Sequence, residues 1–252
     1  PESWLDGDKD LTGELMHKLN DLRFFTTPAH PCSYLQGQSA ETLFLDPQVQ
    51  ANTELYSQLS QAGFRRSGRY IYKPFCNACN ACVPVRIPVS TFKMRRSQSR
   101  VWKRNQDLSI SFHAPYQSDE IWSLYERYIN SRHRDGDMYP ADQDQFEGFL
   151  IEGRPEAQFI EFRLDNSLIA IMVADQLSDA LSAIYTFFDP DKETRSLGVF
   201  AILALIQIAR RRDLKHVYLG YWIEDCKKMN YKANYEPIEA LLENQWQTLE
   251  KS

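Results

Sequence analysis

Three blocks of this 252-residue chain have residue types and spacing that could do chemistry. The first is Cys76-Asn-Ala-Cys79-Asn-Ala-Cys82, with Cys32 upstream in His30-Pro31-Cys32. Two CxxC steps sharing a cysteine put three thiolates on one tight loop, and Cys32 offers the fourth ligand expected of Zn²⁺ or an Fe–S cluster. His30 competes for that fourth place, and a loop of reduced thiols without metal is the bland alternative. The second block is Lys93-Met-Arg-Arg-Ser-Gln-Ser-Arg-Val-Trp-Lys-Arg104. On a helix, Arg96, Arg100 and Arg104 recur on one face, Lys103 lies beside them, and Trp102 offers a flat ring to stack on a base. Most charge runs are solvated faces, but no acid interleaves here, which favours contact with RNA phosphates. The third block is Tyr185-Thr-Phe-Phe-Asp189-Pro190 followed by Arg195-Ser-Leu-Gly198-Val-Phe200. A small residue at a helix start lets backbone approach phosphate, and Gly198 could serve that purpose or merely a tight turn.

The charge is placed to match the second block. Eleven cations and no acid fall between Leu55 and Gln106, which leaves 18 cations against all 34 acids, a charge of −16, for the rest. Such asymmetry marks a polyanion site on one part of a protein, although the net charge of −5 alone argues against one. The five cysteines are an odd count without a secretory signal, so thiols or a metal fit better than disulfides; Cys226, alone after a strand, reads as a packed small residue. The longest nearly unbroken apolar run, Leu197 to Ala209, is too short to span a bilayer, and a cytoplasmic protein without a membrane partner is expected. Residues 1–15, before Met16, read either as a variable extension or as a remnant foreign to the native chain.

These blocks need elements to hold them. A hydrophobic content of 43% supports a real core. Asp46-Pro47 reads as the start of a helix of about four turns ending at Gly63. Strands are expected at Tyr70 to Phe75 and Val83 to Val89 around the cysteine loop, and a basic helix at Ser97 to Asn105. The chain is expected to divide into a cysteine-bearing basic domain, residues 1–106, and a second domain, residues 107–252. In the second, strands read at Leu108 to His113, Ala157 to Leu164, Leu168 to Leu177, Ala180 to Phe188 and His216 to Trp222. Helices read at Asp119 to His133, Gln143 to Ile151, Val199 to Arg212 and around Glu224 to Tyr231. This α/β (α+β) order is that of the N-acetyltransferase (GNAT) fold, which brings an amine to an acyl donor, though fold alone does not give function. Acetyltransferases bind coenzyme pyrophosphate on a (Q/R)xxGx(G/A) loop. Arg195 and Gly198 fit that pattern, but Phe200 stands where Gly or Ala is needed, which implies an acyl donor other than acetyl-CoA.

The stretches PCSYL, GFRRSGRYIYKPFCNACNACVPVRI, SRVWKRN, YERYINSRHRDGDM, YTFFDP, RSLG and YLGYWIEDCKKMNYKANYEP together resemble the arginyl-tRNA:protein transferase family. The resemblance covers nearly all of the chain after about Arg23, in order. The adjacent cysteine pair of the eukaryotic arginyl branch is absent, so the likeness is to the bacterial, leucine-transferring branch. It implies a charged tRNA (leucyl-tRNA) as donor and, as acceptors, proteins with N-terminal Asp or Glu, which are thereby marked for N-end-rule degradation. No cofactor is implied for the transfer itself.

An activated ester needs mainly a well-placed neutral amine, plus groups that handle a proton and the tetrahedral oxyanion. Tyr185, Asp189 and Tyr221, at or near the ends of expected adjacent strands, are the candidates, with His133 as a further proton-transfer candidate. Arg65, Arg66, Lys73 and Arg86 are candidates for the acceptor carboxylate, because a planar guanidinium can grip it with two hydrogen bonds. They could equally join a tRNA surface with Arg96, Arg100, Trp102, Lys103 and Arg104. The metal candidates remain Cys32, Cys76, Cys79 and Cys82. A coenzyme-A-dependent N-acyltransferase and a non-enzymatic zinc-bearing RNA-binding module are the rival readings.

Overall fold

The computed structural model describes residues 22–132, 134, 136 and 138–249. His133 and the expected extension of residues 1–15 lie outside them. The chain forms two compact units, one of residues up to Arg66 with Tyr70–Asn80, the other of Ser67–Arg69 with Ala81–Ser252.

The first unit holds a four-stranded sheet of order β1-β4-β6-β5, from β1 (Phe24–Thr26), β4 (Thr42–Leu45), β5 (Arg65–Ser67) and β6 (Tyr70–Pro74). A small hairpin of β2 (His30–Pro31) and β3 (Ser39–Ala40) precedes β4. Its helix α1 runs Thr53–Gln61, shorter than expected. Asp46 does not cap it: the carboxylate accepts from Gln48 N at 2.9 Å and pairs with Arg23 at 3.2 Å. Asn52 is the cap instead, its Oδ1 accepting from Leu55 N at 2.9 Å, which satisfies one of the free amides of the first turn.

The second unit is built on an eight-stranded sheet of order β14-β13-β7-β12-β11-β10-β9-β8. Its elements are β7 (Val83–Pro88), α2 (Arg96–Arg104), β8 (Leu108–His113), α3 (Asp119–Arg132), α4 (Gln143–Phe146), β9 (Ala157–Leu164), β10 (Ser167–Gln176), β11 (Ala180–Phe188), α5 (Leu197–Arg211), β12 (His216–Trp222), β13 (Glu239–Leu242) and β14 (Gln245–Thr248). The run from β8 to β12 has the GNAT-type order read from the sequence. The apolar helix α5 packs on one sheet face with Val101 and Trp102 of α2, and α3 and α4 pack on the other. The residue 106/107 boundary falls inside this unit, because β7 is a central strand of its sheet and α2 lies on its core.

Two elements differ from expectation. Residues 224–231 form no α-helix; amide bonds from Cys226 to Ile223, Met229 to Cys226 and Lys232 to Met229 make successive three-residue turns, ending in a 3-10 turn at Asn230–Asn234. The hairpin β13–β14 was not read; Glu243 and Asn244 both take positive φ, 51° and 61°, the backbone a tight hairpin needs. In the turn Ser67–Arg69, Gly68 has φ +56°, and a Cβ there would sit 2.4 Å from the carbonyl oxygen of Gly148. Gly68→Ala should therefore cost roughly 2 kcal/mol or more, through both backbone strain and displacement of that carbonyl. Thermal or denaturant unfolding checks it, and an unchanged midpoint would contradict it.

Candidate active site

Strands β11 and β12 are the parallel pair of the sheet, and they pair over only three positions: Ala180 with His216, Leu181 with Val217 and Ser182 with Tyr218. Each then carries an irregularity. Against β10, Ala183 pairs with Ala174 and Tyr185 with Val173, so Ile184 is an extra residue in β11. Against β7, Tyr218 pairs with Arg86 and Gly220 with Val85, so Leu219 is extra in β12, with Gly220 at φ 84°. A bulge reverses which face later side chains address. Leu181 and Ala183 accordingly pack on the α5 side, whereas Tyr185 and Phe187 pack on the α3 side. Beyond Ser182 and Tyr218 no pairing joins the two strands, and this divergence gathers the candidate residues of the third block.

Tyr185 stands in an aromatic layer, its ring 5.4 Å from Phe149 and 6.4 Å from Tyr128. Burial, with smaller contributions from Tyr128 and Tyr125, drives its pKa well above the usual phenol range, so it carries its proton at neutral pH and can donate but not act as a base. Asp189 closes β11. Its Oδ1 accepts from Asp191 N at 3.1 Å and from Arg127 at 3.2 Å, so the carboxylate anchors the turn Pro190–Arg195 to α3. That arrangement gives Asp189 a positioning role. Tyr221 is buried near the end of β12, and its carbonyl accepts from Lys232 Nζ at 2.5 Å. Lys232, only 5% exposed, and Arg127 escaped the sequence reading, since neither burial of a lysine nor a helix-to-loop ion pair shows in residue spacing.

In the loop before α5 the arginine is already engaged. Arg195 grips Asp107 with two bonds of 2.9 and 2.8 Å, which holds the Asp107 carboxyl below its usual range. Phe200 is buried in the core, its ring 5.4 Å from both Trp102 and Phe162. Trp102 thus packs on Phe200, and the base-stacking role expected of it is open only to its other surface. Arg96, Arg100, Lys103 and Arg104 are exposed along α2, with Arg104 also donating to Thr194 O. Gln98, buried between them in sequence, accepts from Arg95 N at 2.9 Å and donates to Asn234 O at 3.1 Å. The basic helix is thereby tied to the turn that carries Lys232.

Arg86 is held within the sheet: its Nε donates to Glu239 at 2.6 Å and its guanidinium lies 4.3 Å from the Trp246 ring centre. In the first unit Arg65 and Arg66 are buried on β5, and Lys73 donates to Ala62 O at 3.3 Å; burial lowers the Lys73 pKa. The metal expectation finds no support. Cys32 Sγ faces the amides of Tyr34 and Leu35 at 3.4 and 3.5 Å, and Cys76 Sγ faces Glu41 O at 3.7 Å. Among the described residues no group of three or more His, Cys, Asp or Glu side chains is placed to hold an ion, so the residues do not fit zinc or a cluster. Among the same residues no helix is long and apolar enough to cross a membrane.

The second unit thus has the strand and helix order read from the sequence, and its surface helix is cationic. Residues 30–100 match the family described as "Arginine-tRNA-protein transferase, N terminus" and residues 120–242 its "C terminus" counterpart. The aspartate/glutamate leucyltransferase of Hahella chejuensis is 54% identical over 93% of this chain and 100% of its own length. That of Pseudomonas putida strain GB-1 is 52% identical over the same shares. Among solved structures, L-PGS from Bacillus licheniformis is 10% identical, with a TM-score of 0.46 over 88% of this chain and 78% of that one. The chain belongs to the arginine-tRNA-protein transferase family and is a transferase.

One electrostatic feature near β7 is testable on stability. His216 lies 3.7 Å from Glu239, yet burial and then the charge of Arg86 push its pKa down to about 4 from 6.5. The unfolded chain takes up this proton first, so the stabilisation is complete above pH 6.5 and is lost as pH falls toward 4. The loss amounts to roughly 3 kcal/mol. His216→Gln should flatten the fall in unfolding free energy across that window; an identical fall in both proteins would contradict it.

Proposed function

We propose that this protein moves leucine from leucyl-tRNA to the N-terminal Asp or Glu of acceptor proteins, marking them for degradation. The observation that carries the reading is the end-to-end identity with aspartate/glutamate leucyltransferases, at 54% for the Hahella protein. The engagement of Arg195 by Asp107 and the bulky Phe200 where the coenzyme pattern needs Gly or Ala support the same reading. That arrangement disfavours a coenzyme-A-dependent acyltransferase.

In the reaction the acceptor's α-amine, with a pKa of about 7.7 to 8.0, attacks the ester carbonyl carbon as the neutral form. A C–N bond forms, the bond from that carbon to the ribose oxygen breaks, and the amine proton ends on the leaving oxygen. Net balance needs no protein base, and positioning supplies most of the rate. We assign Tyr185 and Tyr221 to the divergence of β11 and β12, with Tyr185 as a hydrogen-bond donor and Asp189 as the anchor of the adjoining turn. Arg96, Arg100, Lys103 and Arg104 are assigned to tRNA phosphates, with Trp102 beside them. Arg65, Arg66 and Lys73 are assigned to the acceptor carboxylate; Arg86, already paired with Glu239, is the weaker member of that set.

Purified protein with leucyl-tRNA should leucylate peptides beginning with Asp or Glu, and replacing Asp by Asn should cost on the order of 2 to 5 kcal/mol in kcat/KM. Preference for arginyl-tRNA would overturn the donor assignment, and equal use of Asn peptides the acceptor assignment. In a second experiment, tRNA affinity of the Arg96, Arg100 and Arg104 triple alanine variant is followed against salt. Each lost phosphate contact should reduce the slope of log K on log salt by about 0.7 to 0.9. An unchanged slope would remove α2 from the tRNA surface.

A further inference from the structure

Surface cations are ordinarily neutralised by neighbouring acids, so a line of exposed cations without them marks a surface that meets a polyanion. Such a line runs beyond α2. Two ties fix α2 alongside α5 and antiparallel to it. At the C-terminal end of α2, Arg104 donates to Thr194 O and Asn105 Nδ2 to Arg195 O at 2.9 Å, in the turn before α5. Ahead of its N-terminal end, the carbonyls of Val89 and Phe92 accept from Arg210, in the last turn of α5, at 2.9 Å each. Lys93, the next residue, is exposed and stands beside the end of α5, where Arg211 is exposed too. Arg211 follows Phe200 by three turns of helix plus about 20°, and Phe200 is the residue that packs on Trp102 of α2. Arg211 therefore leaves α5 on the α2 side. Cations at a helix C-terminus also answer its dipole, and the fold uses two of the three arginines there. Arg210 holds the two carbonyls, and Arg212 donates to Gln176 Oε1 at 2.8 Å and covers the Phe112 ring. Asp213, exposed just beyond, offsets one of the three charges. Arg211, Lys93 and the four α2 cations make no ion pair among the described residues, whereas Arg127, Arg132 and Lys215 are paired with Asp189, Glu193 and Asp179.

We propose that the phosphate track of the donor tRNA continues past α2 to Lys93 and Arg211, so that the acceptor stem runs from the N-terminal end of α5 toward its C-terminal end. The inference rests on the reading that α2 binds tRNA phosphates and that the ester lies beside β11 and β12. Polarity follows from that placement. Strand β11 ends at Phe188 and leads through the turn Pro190–Arg195 directly into α5, so the reactive end of the donor is at the Arg104 end of the track. The stem then leaves toward Lys93. A path over the turn and α3 would meet Asp191 and Glu193, 83% and 74% exposed, and the exposed Asp119, Glu120 and Glu126. Those carboxylates repel phosphate, and Arg127 and Arg132 on α3 are already committed to acids of the turn. Length agrees as well. The nine residues of α2 rise about 13 Å and the 15 of α5 about 22 Å, while a duplex carries a phosphate about every 1.7 Å of its axis. Phosphate contacts fix orientation and carry no sequence information, so this end of the track positions the donor without selecting it.

Affinity for uncharged leucine tRNA is measured against salt for Arg211→Ala, for Lys93→Ala with Arg211→Ala, and for Lys215→Ala. Lys215→Ala removes one charge at the same end of the second unit, from a side chain that is 72% exposed and lies off the track. Arg211→Ala should reduce the slope of log K on log salt by about 0.7 to 0.9, and the double variant by about twice that. Lys215→Ala should change the slope by less than half as much as Arg211→Ala. Both track residues are exposed and unpaired, so the double variant should keep the wild-type Tm, which separates lost contacts from lost structure. An unchanged slope in the double variant would overturn the proposal. So would an equal change in Lys215→Ala, which would show a response to overall charge alone. The Arg96, Arg100 and Arg104 triple alanine variant tells the two levels apart. If its slope falls while that of the double variant does not, only the extension beyond α2 fails; if neither falls, α2 is no tRNA surface and the reading beneath it fails too.

Discussion

The parallel contact between β11 and β12 is limited to three residue pairs, and most of the second unit is arranged around that limit. A sheet normally continues pairing as far as both strands run, because unpaired backbone groups lose hydrogen bonds. Here extra residues at Ile184 and Leu219 interrupt both strands just past Ser182 and Tyr218. The interruption ends the pairing of the two strands and turns Tyr185 from the α5 side to the α3 side. Without the bulge in β11, Tyr185 would follow Leu181 and Ala183 into the core against α5.

Several contacts hold the edges of this divergence. Asp189 and Arg127 pin the turn after β11 to α3, and Arg195 with Asp107 pins its far end beside α2. On the β12 side, the buried ammonium of Lys232 holds the Tyr221 carbonyl, and Gln98 ties the same turn to the basic helix. Cations on α2 therefore stand on an element directly coupled to the end of β12. Under the proposed function, tRNA phosphates on that face and the ester beside β11 and β12 would be held by one unit, which suits a donor whose reactive group sits at the end of a long RNA. Phe200 joins α2 to the core by packing between Trp102 and Phe162.

Runs of strand length rich in apolar, β-branched and aromatic residues between turn signals made β8, β9, β11 and β12 legible to the residue. The apolar run of α5 was equally plain, and the acid-free run marked α2. What a strand-length run cannot show is where a bulge will fall, and the bulge decides which face Tyr185 addresses. The turns after β12 were misread as a helix because Lys232 and Cys226 are buried there for reasons that lie in the tertiary structure. The short β13–β14 hairpin gave too brief a pattern to separate from loop. Among the site residues, spacing located the cationic face of α2, but the roles of single side chains depended on partners distant in sequence: Asp189 on Arg127, Arg195 on Asp107, Arg86 on Glu239. The cysteine spacing suggested a metal because CxxC steps recur in metal loops; Cys32 instead faces amides of its own loop and Cys76 the Glu41 carbonyl.

The central claim is that the aminoacyl end of the donor enters between β11 and β12. Photo-crosslinking tests it most directly, using tRNA that carries a diazirine analogue of leucine through a 3′-amide, which cannot be transferred. Peptide mapping should place the adducts on β11 beyond Ser182, on β12 beyond Tyr218, or on the facing residues of α3. Adducts confined to the first unit, or to the cavity of about 790 Å³ beside Pro88, Arg210 and Lys215 at the opposite end of β12, would contradict it.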